Sequence, residues 1–285
     1  MHLSVDLGIA IIELNDPEHF NSFSDGLGAC MRRTLQHIGT LPSVISVLLQ
    51  GAGPHFSVGG NPYDVREGLL LDLTSFGLSL RELYDGFMHL RTLPCPILAA
   101  AHGSVVGGGV AGFLHADYRV ADCGSTFEHG NIVRGVCVLG MLSRTFDRAL
   151  GSHSQQGYLL NIQLGAAAAL TAGLVHRLCS GVHAARSCAR GVAGLVSDRK
   201  HDLCKMACYC RDAIVPAILT CEAIGHSECQ RLNGGFAKSR LGTHMSVPEG
   251  RLDRLAIFET GSAPIGPAAT ILPIAFGAGD SGETA

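Results

Sequence analysis

Apolar and polar residues alternate at the start of the chain and then run together, with Val5, Leu7, Ile9, Ile11, Ile12 and Leu14 on the apolar side. This pattern predicts an edge or hairpin strand over 3–15, ended by the turn Asp16-Pro17-Glu18. Ser24-Asp25 has the chemistry of a helix N-cap, so a helix is expected from there to about Ile38. Val44 to Leu49 is a short β-branched strand, stopped by Gly51-Ala52-Gly53-Pro54. His55-Phe56-Ser57-Val58 reads as a strand end closed by Gly59-Gly60. Residues 62–93 read as a loop and then a helix, with Leu80, Leu83, Tyr84, Phe87, Met88 and Leu90 at helical spacing. The run Ile97-Leu98-Ala99-Ala100-Ala101 predicts a buried strand. It leads through His102-Gly103 into Gly107-Gly108-Gly109, a glycine turn that opens a helix. Ala116 to Val120 and Ser125 to Phe127 predict further short strands, and about Leu142 to Ile224 is mostly helical and alanine-rich. From about Ser246 onward Gly, Ala, Pro and Ser dominate without a helical period, as in a flexible tail or linker.

Composition narrows the class. The chain has 285 residues, 47% hydrophobic and 16% charged, with a formal net charge of -3. That is ample for one large packed domain, alone or with an extension. Gly 37 and no Trp fit a turn-rich α/β protein. A pI near 6.5 without a basic block argues against nucleic-acid binding. No apolar run approaches the roughly 18–20 residues that span a bilayer. The opening MHLSVDLGIAIIEL lacks a basic region followed by an apolar one, so a cytoplasmic protein with reduced thiols is expected. His201, Cys204, Cys208 and Cys210 form the one dense cysteine group. On a helix Cys204 and Cys208 share a face and Cys210 points elsewhere, so no metal site is expected.

Candidate chemistry lies at two glycine corners. Phe56-Ser57-Val58-Gly59-Gly60-Asn61 and Gly103 through Gly109 each follow an apolar strand, about 50 residues apart. Glycines let a backbone bend sharply and bring bare N–H groups up to a ligand. Two such corners on neighbouring strands would offer one N–H each to a single developing oxyanion. A glycine corner alone is ordinary turn chemistry.

Five stretches carry a family resemblance: IAIIELNDPEHFNSFS, HFSVGGNPYD, LPCPILAAAHGSVVGGGVAGFLHADYRVAD, STFEHGNIVRGVCVLGMLSRTFDRALG and LTAGLVHRL. In this order, over about residues 4–240, they resemble the crotonase (enoyl-CoA hydratase/isomerase) superfamily. The resemblance implies a spiral of repeated ββα units and then an α-helical region that builds a homotrimer. It implies a crotonase-like domain over 1–245, with a core at about 4–195 and the helical region at about 196–245, and a tail over 246–285. It also implies an oxyanion hole for an acyl thioester carbonyl, which falls on the N–H groups of Gly60 and Gly108, with the neighbouring Gly59 and Gly107 binding substrate.

The departures redirect the chemistry. Where hydratases of this family carry two glutamates, this chain has Ala111 and Asn131. Neither moves a proton at neutral pH, yet adding water across a double bond needs an acid and a base. The missing glutamates, the doubled glycine and HFNSFS resemble the decarboxylase of polyketide β-branching cassettes, which acts on a glutaconyl thioester. That subgroup takes a lysine from the segment after the first corner, but residues 61–93 contain only Arg66, Arg81 and Arg91 as cations. Its C-terminal histidine has no firm counterpart, though His226 and His244 lie in that region.

Several residues have two readings. On a continuing strand, His129 and Asn131 would share a side, the pocket side by family analogy, making His129 a proton donor or merely a turn histidine. Asn131 would hold a substrate carboxylate or carbonyl. Glu128 would face the opposite side, and His102 reads as a packed structural residue. Arg66 is a carboxylate binder or a solvated charge. Tyr63 and Tyr84 line an acyl channel or, for Tyr84 especially, fill core.

The expected activity is enolate-stabilised decarboxylation or isomerisation of an enoyl or glutaconyl thioester, carried on CoA or acyl carrier protein. The pantetheine carrier belongs to the substrate, and no metal or other cofactor is implied. The alternatives are a hydratase or dehydratase with relocated acid–base groups and a non-catalytic thioester-binding homologue.

Overall fold

The chain opens as a hairpin because Leu7 and Gly8 both take positive φ, 48° and 81°, the backbone of a tight two-residue turn. The turn joins β1 (His2–Asp6) to β2 (Ile9–Leu14) in an antiparallel pair. The computed structural model describes residues 1–61, 84, 86–131 and 142–197. All belong to the first of two units, Met1–Gly242 and Thr243–Ala285. The helical region expected over 196–245, apart from its first two residues, and the tail over 246–285 lie outside the described residues.

From β2 onward the architecture is mixed α/β and repeats. The strands β2, β3 (Ser46–Gly51), β4 (Ile97–Ala101), β6 (Tyr118–Asp122) and β9 (Arg177–Cys179) pair in parallel, giving a six-stranded sheet in the order β1-β2-β3-β4-β6-β9. Most of these strands are followed by a short segment in a second layer. After β4 comes β5 (Ser104–Val106), and after β6 comes β7 (Thr126–Glu128), which pairs with β5 in parallel. After β2 and β3 come the bridging residues Phe23 and Ser57 to Gly60: Phe23 bridges Gly60, and Ser57 bridges Val105. Helices α1 (Asp25–Gly39) and α2 (Gly108–Leu114) then close the units begun by β2 and β4. The result is a stack of ββα units whose second-layer segments lie side by side in chain order.

Two cores hold the layers. The central strands are buried on both faces, as parallel strands between layers must be. On one face Ile9, Ile11, Leu48, Leu98, Ala100 and Val120 meet Ala185, Ala189 and Ala193 of α6 (Val182–Ser197). On the other, Ile12, Leu14, Leu49, Ile97, Ala99 and Ala101 meet Leu27, Met31, Leu35 and Ile38 of α1. The predicted N-cap of α1 is in place, with Ser24 Oγ accepting from the Leu27 N–H at 3.3 Å.

The strands expected at 44–49, 116–120 and 125–127 begin one or two residues later than the apolar pattern places them. The stretch from Leu142, read as mostly helical, is helical but interrupted. Between α3 (Leu142–Leu150), α4 (Ser154–Leu159), α5 (Ala166–Thr171) and α6 lie β8 (Leu164–Gly165) and β9. Strands of two or three residues are too short to show a period. Their form comes from pairing with β7 and β6.

Candidate active site

The two glycine corners touch. A Cβ on Gly59 would stand 2.5 Å from the Val106 carbonyl oxygen and 2.8 Å from the Gly108 nitrogen. Only a residue without a side chain fits there, and its φ of +83° likewise favours glycine. Gly109 makes the second close approach, since a Cβ on it would lie 2.2 Å from the Ser57 carbonyl oxygen. The first corner is tied from behind. Asn21 Nδ2 donates to the carbonyls of Ala52 and His55 at 2.8 Å each, and Ser57 Oγ donates to the Asn21 carbonyl at 2.8 Å.

Hydrogen bonds decide which N–H groups remain for a ligand. The Gly59 N–H donates to Ser57 Oγ at 3.2 Å, and the Gly107 N–H to the Glu128 carbonyl at 3.0 Å. These two glycines, expected to bind substrate, therefore spend their donors within the protein and serve as turns. The Gly59 carbonyl accepts from the Phe23 N–H at 2.7 Å, so the trans peptide aims the Gly60 N–H the opposite way. The Gly107 carbonyl accepts from the Ala111 N–H at 3.0 Å, which by the same rule aims the Gly108 N–H back out of the first turn of α2.

Two side chains approach this junction. Tyr84 Oη lies 2.9 Å from the position of a Cβ on Gly108 and 3.8 Å from that on Gly60. Asn131 Oδ1 lies 2.9 Å from the Cβ position of Gly107, so Asn131 sits beside the second corner. Ala111 is buried in the main core. Among the described residues, no group of three or more His, Cys, Asp or Glu side chains is placed to hold a metal ion.

A sequence profile for the enoyl-CoA hydratase/isomerase family matches residues 5–206. The chain belongs to this family. Its relatives include a probable enoyl-CoA hydratase of Mycobacterium tuberculosis, EchA14, 31% identical over 166 residues. That match covers 55% of this chain and 60% of the relative. A 1,2-epoxyphenylacetyl-CoA isomerase of Escherichia coli is 29% identical over 118 residues, covering 41% of this chain and 45% of that protein. The chain thus spans about half the length of the curated relatives it matches. The crystal structure of an enoyl-CoA hydratase from Bacillus halodurans superposes with a TM-score of 0.72 at 19% identity, over 84% of this chain and 95% of that one.

Within this crotonase scaffold the remaining candidates separate. The strand expected to carry both His129 and Asn131 ends at Glu128, and Gly130 turns the backbone with a φ of 72°. Strict alternation therefore does not reach Asn131. His129 is 2% exposed, its ring edge-on to Phe146 at 5.0 Å and Tyr158 at 4.8 Å. Its Nδ1 has no hydrogen-bond partner among the described residues. Burial pushes its pKa down to about 4, so at neutral pH the ring lacks the proton of an imidazolium acid. Glu128 Oε1 accepts from Asn161 Nδ2 at 2.9 Å. His102 is structural in form: Nε2 donates to the Gly53 carbonyl at 2.8 Å, and burial lowers its pKa. Tyr63, Arg66, His226, His244 and the group of His201, Cys204, Cys208 and Cys210 lie outside the described residues.

Tyr84 is the neighbour that sequence reasoning underweighted. It falls in register with Phe87 and Met88, so the apolar stripe absorbs it as core. The available signal was its hydroxyl, a polar tip in an otherwise apolar stripe that requires a polar destination.

Proposed function

We propose that the N–H groups of Gly60 and Gly108 hold the carbonyl oxygen of an acyl thioester and stabilise its enolate. The observation that carries this reading is the contact of Gly59 with Val106 and Gly108, which sets two outward-aimed N–H groups beside one junction. Donors fixed before the charge develops need no reorganisation as it forms, which is why such holes lower barriers strongly.

The reaction that fits best is decarboxylation or isomerisation of an enoyl or glutaconyl thioester, on CoA or acyl carrier protein. In the decarboxylation, the bond from carbon to the substrate carboxylate breaks and carbon dioxide leaves. Its electron pair becomes a dienolate whose oxygen lies in the hole; water then gives a proton to carbon, and the hydroxide left adds to the released carbon dioxide as bicarbonate. A carboxylate base at 111 or 131 would repel the departing carboxylate, and Ala111 and Asn131 carry no such charge. Asn131, beside Gly107, is the residue assigned to the substrate carboxylate. On this reading the working unit is a homotrimer.

The relatives named as hydratases favour a second reading, reversible hydration with acid and base placed elsewhere. Mass spectrometry after incubation with CoA-bound and carrier-bound glutaconyl and enoyl substrates separates the two. Loss of carbon dioxide or migration of the double bond supports the first reading, and reversible loss of water supports the second. Thioester binding without turnover of any of these would replace both with a non-catalytic role.

A further inference from the structure

We propose that the Tyr84 hydroxyl is a catalytic group, a third donor that hydrogen-bonds the enolate oxygen held by Gly60 and Gly108; this rests on the enolate reading of the site given above. The position of the hydroxyl makes the case. It is within 3.8 Å of the Cβ positions of both corner glycines, one from each of two neighbouring ββα units. Gly108 and Tyr84 are mutually exclusive in bulk, because any side chain at 108 would meet Oη at 2.9 Å and the Phe23 ring at 3.0 Å. Glycine at 108 thus leaves room for the hydroxyl as well as for the ligand.

The ring is held in place. Tyr84 meets Phe23 edge-on at 6.0 Å, and Phe23 stacks on Phe87 at 3.9 Å. Phe23 and Phe87 are both fully buried. A ring fixed in this way aims its hydroxyl without further loss of side-chain freedom. Burial pushes the Tyr84 pKa up to about 12, so the group stays protonated and able to donate well above neutral pH. The other described tyrosines are engaged elsewhere: Tyr118 stacks on His176 and Tyr158 meets His129. No proton need leave the phenol, since a hydrogen bond to the enolate stabilises it.

The test uses the full chain with acetoacetyl-CoA, whose bound enolate is read by its ultraviolet absorbance as pH is raised. The parent protein is expected to bind it and to lower its enolisation pKa below that of the free thioester. Tyr84→Phe keeps the ring against Phe23, so its melting temperature is expected to stay near that of the parent and its dissociation constant for the neutral thioester within about threefold. Its enolisation constant is expected to fall about tenfold, one pH unit, as the loss of one donor implies. A residue that only packs would not move that pKa. If the parent binds but does not enolise the thioester, or does not bind it, the enolate reading fails and the role of Tyr84 fails with it. If the parent enolises it and Tyr84→Phe does so equally well, the assignment of Tyr84 alone is overturned.

Discussion

Gly59→Ala tests the junction between the corners most directly. The new methyl would stand 2.5 Å from the Val106 carbonyl oxygen and 2.8 Å from the Gly108 nitrogen, both backbone atoms that no rotamer change can move aside. Ordinary contact begins at 3.4 Å, so the corners must part by roughly an ångström in an interior packed like an organic crystal. A φ of +83° adds about 1–2 kcal/mol for a residue with a Cβ. The stability loss is therefore expected at about 2–5 kcal/mol, from strain and overpacking together. Turnover should suffer more than folding, because Gly60 moves with Gly59 and its N–H leaves hydrogen-bonding range. Losing one such donor costs about 10²–10³-fold in kcat. Single-turnover mass spectrometry of a glutaconyl thioester, at a temperature where circular dichroism reports a folded variant, reads this effect. A folded Gly59→Ala protein with turnover within about threefold of the parent would refute the paired-corner hole.

Two further outcomes follow from groups outside the junction. His129 and His176 both have folded pKa values lowered to about 4, His129 by burial and His176 by burial and then by Arg119. The unfolded chain therefore takes up protons first as pH falls from about 6.5 toward 4, and stability is lost through that window. Urea midpoints should drop over this range, and less steeply in His129→Phe; parallel profiles would show that His129 is not held neutral. Arg119 donates to the carbonyls of Leu174 at 2.7 Å, Ala116 at 2.9 Å and Gly173 at 3.2 Å. Arg119→Met leaves these acceptors unpaired and should cost about 1–3 kcal/mol, seen as a melting temperature lower by several degrees. An unchanged melting temperature would mean that water satisfies them.

Local pattern carried the central features of the fold. The run from Ile97 to Ala101 is legible because a strand buried on both faces has no polar residue to confuse it, and its alternate residues do serve two different cores. The glycine corners are legible because Gly59, Gly103 and Gly107 take the positive φ that favours glycine. His129 and Asn131 are not, since a positive φ at Gly130 breaks an alternation that the letters alone continue. Nor is the contact between the corners. Gly59 and Gly108 are 49 positions apart, and parallel pairing of Ser57 with Val105 brings them together. Pairing of that kind leaves no local trace in either segment.

Helix α2 carries a consequence for the history of the protein and for its redesign. All seven of its residues, Gly108–Leu114, are buried, and Ala111 is only 1% exposed. A glutamate at 111 would bring a charge among the buried apolar residues of the main core, which is costly unless the charge is paired. Because position 111 is buried, the alanine works as a ratchet. A route back to a two-glutamate water-adding enzyme would have to hollow out the surroundings of position 111 first and change the residue itself afterwards.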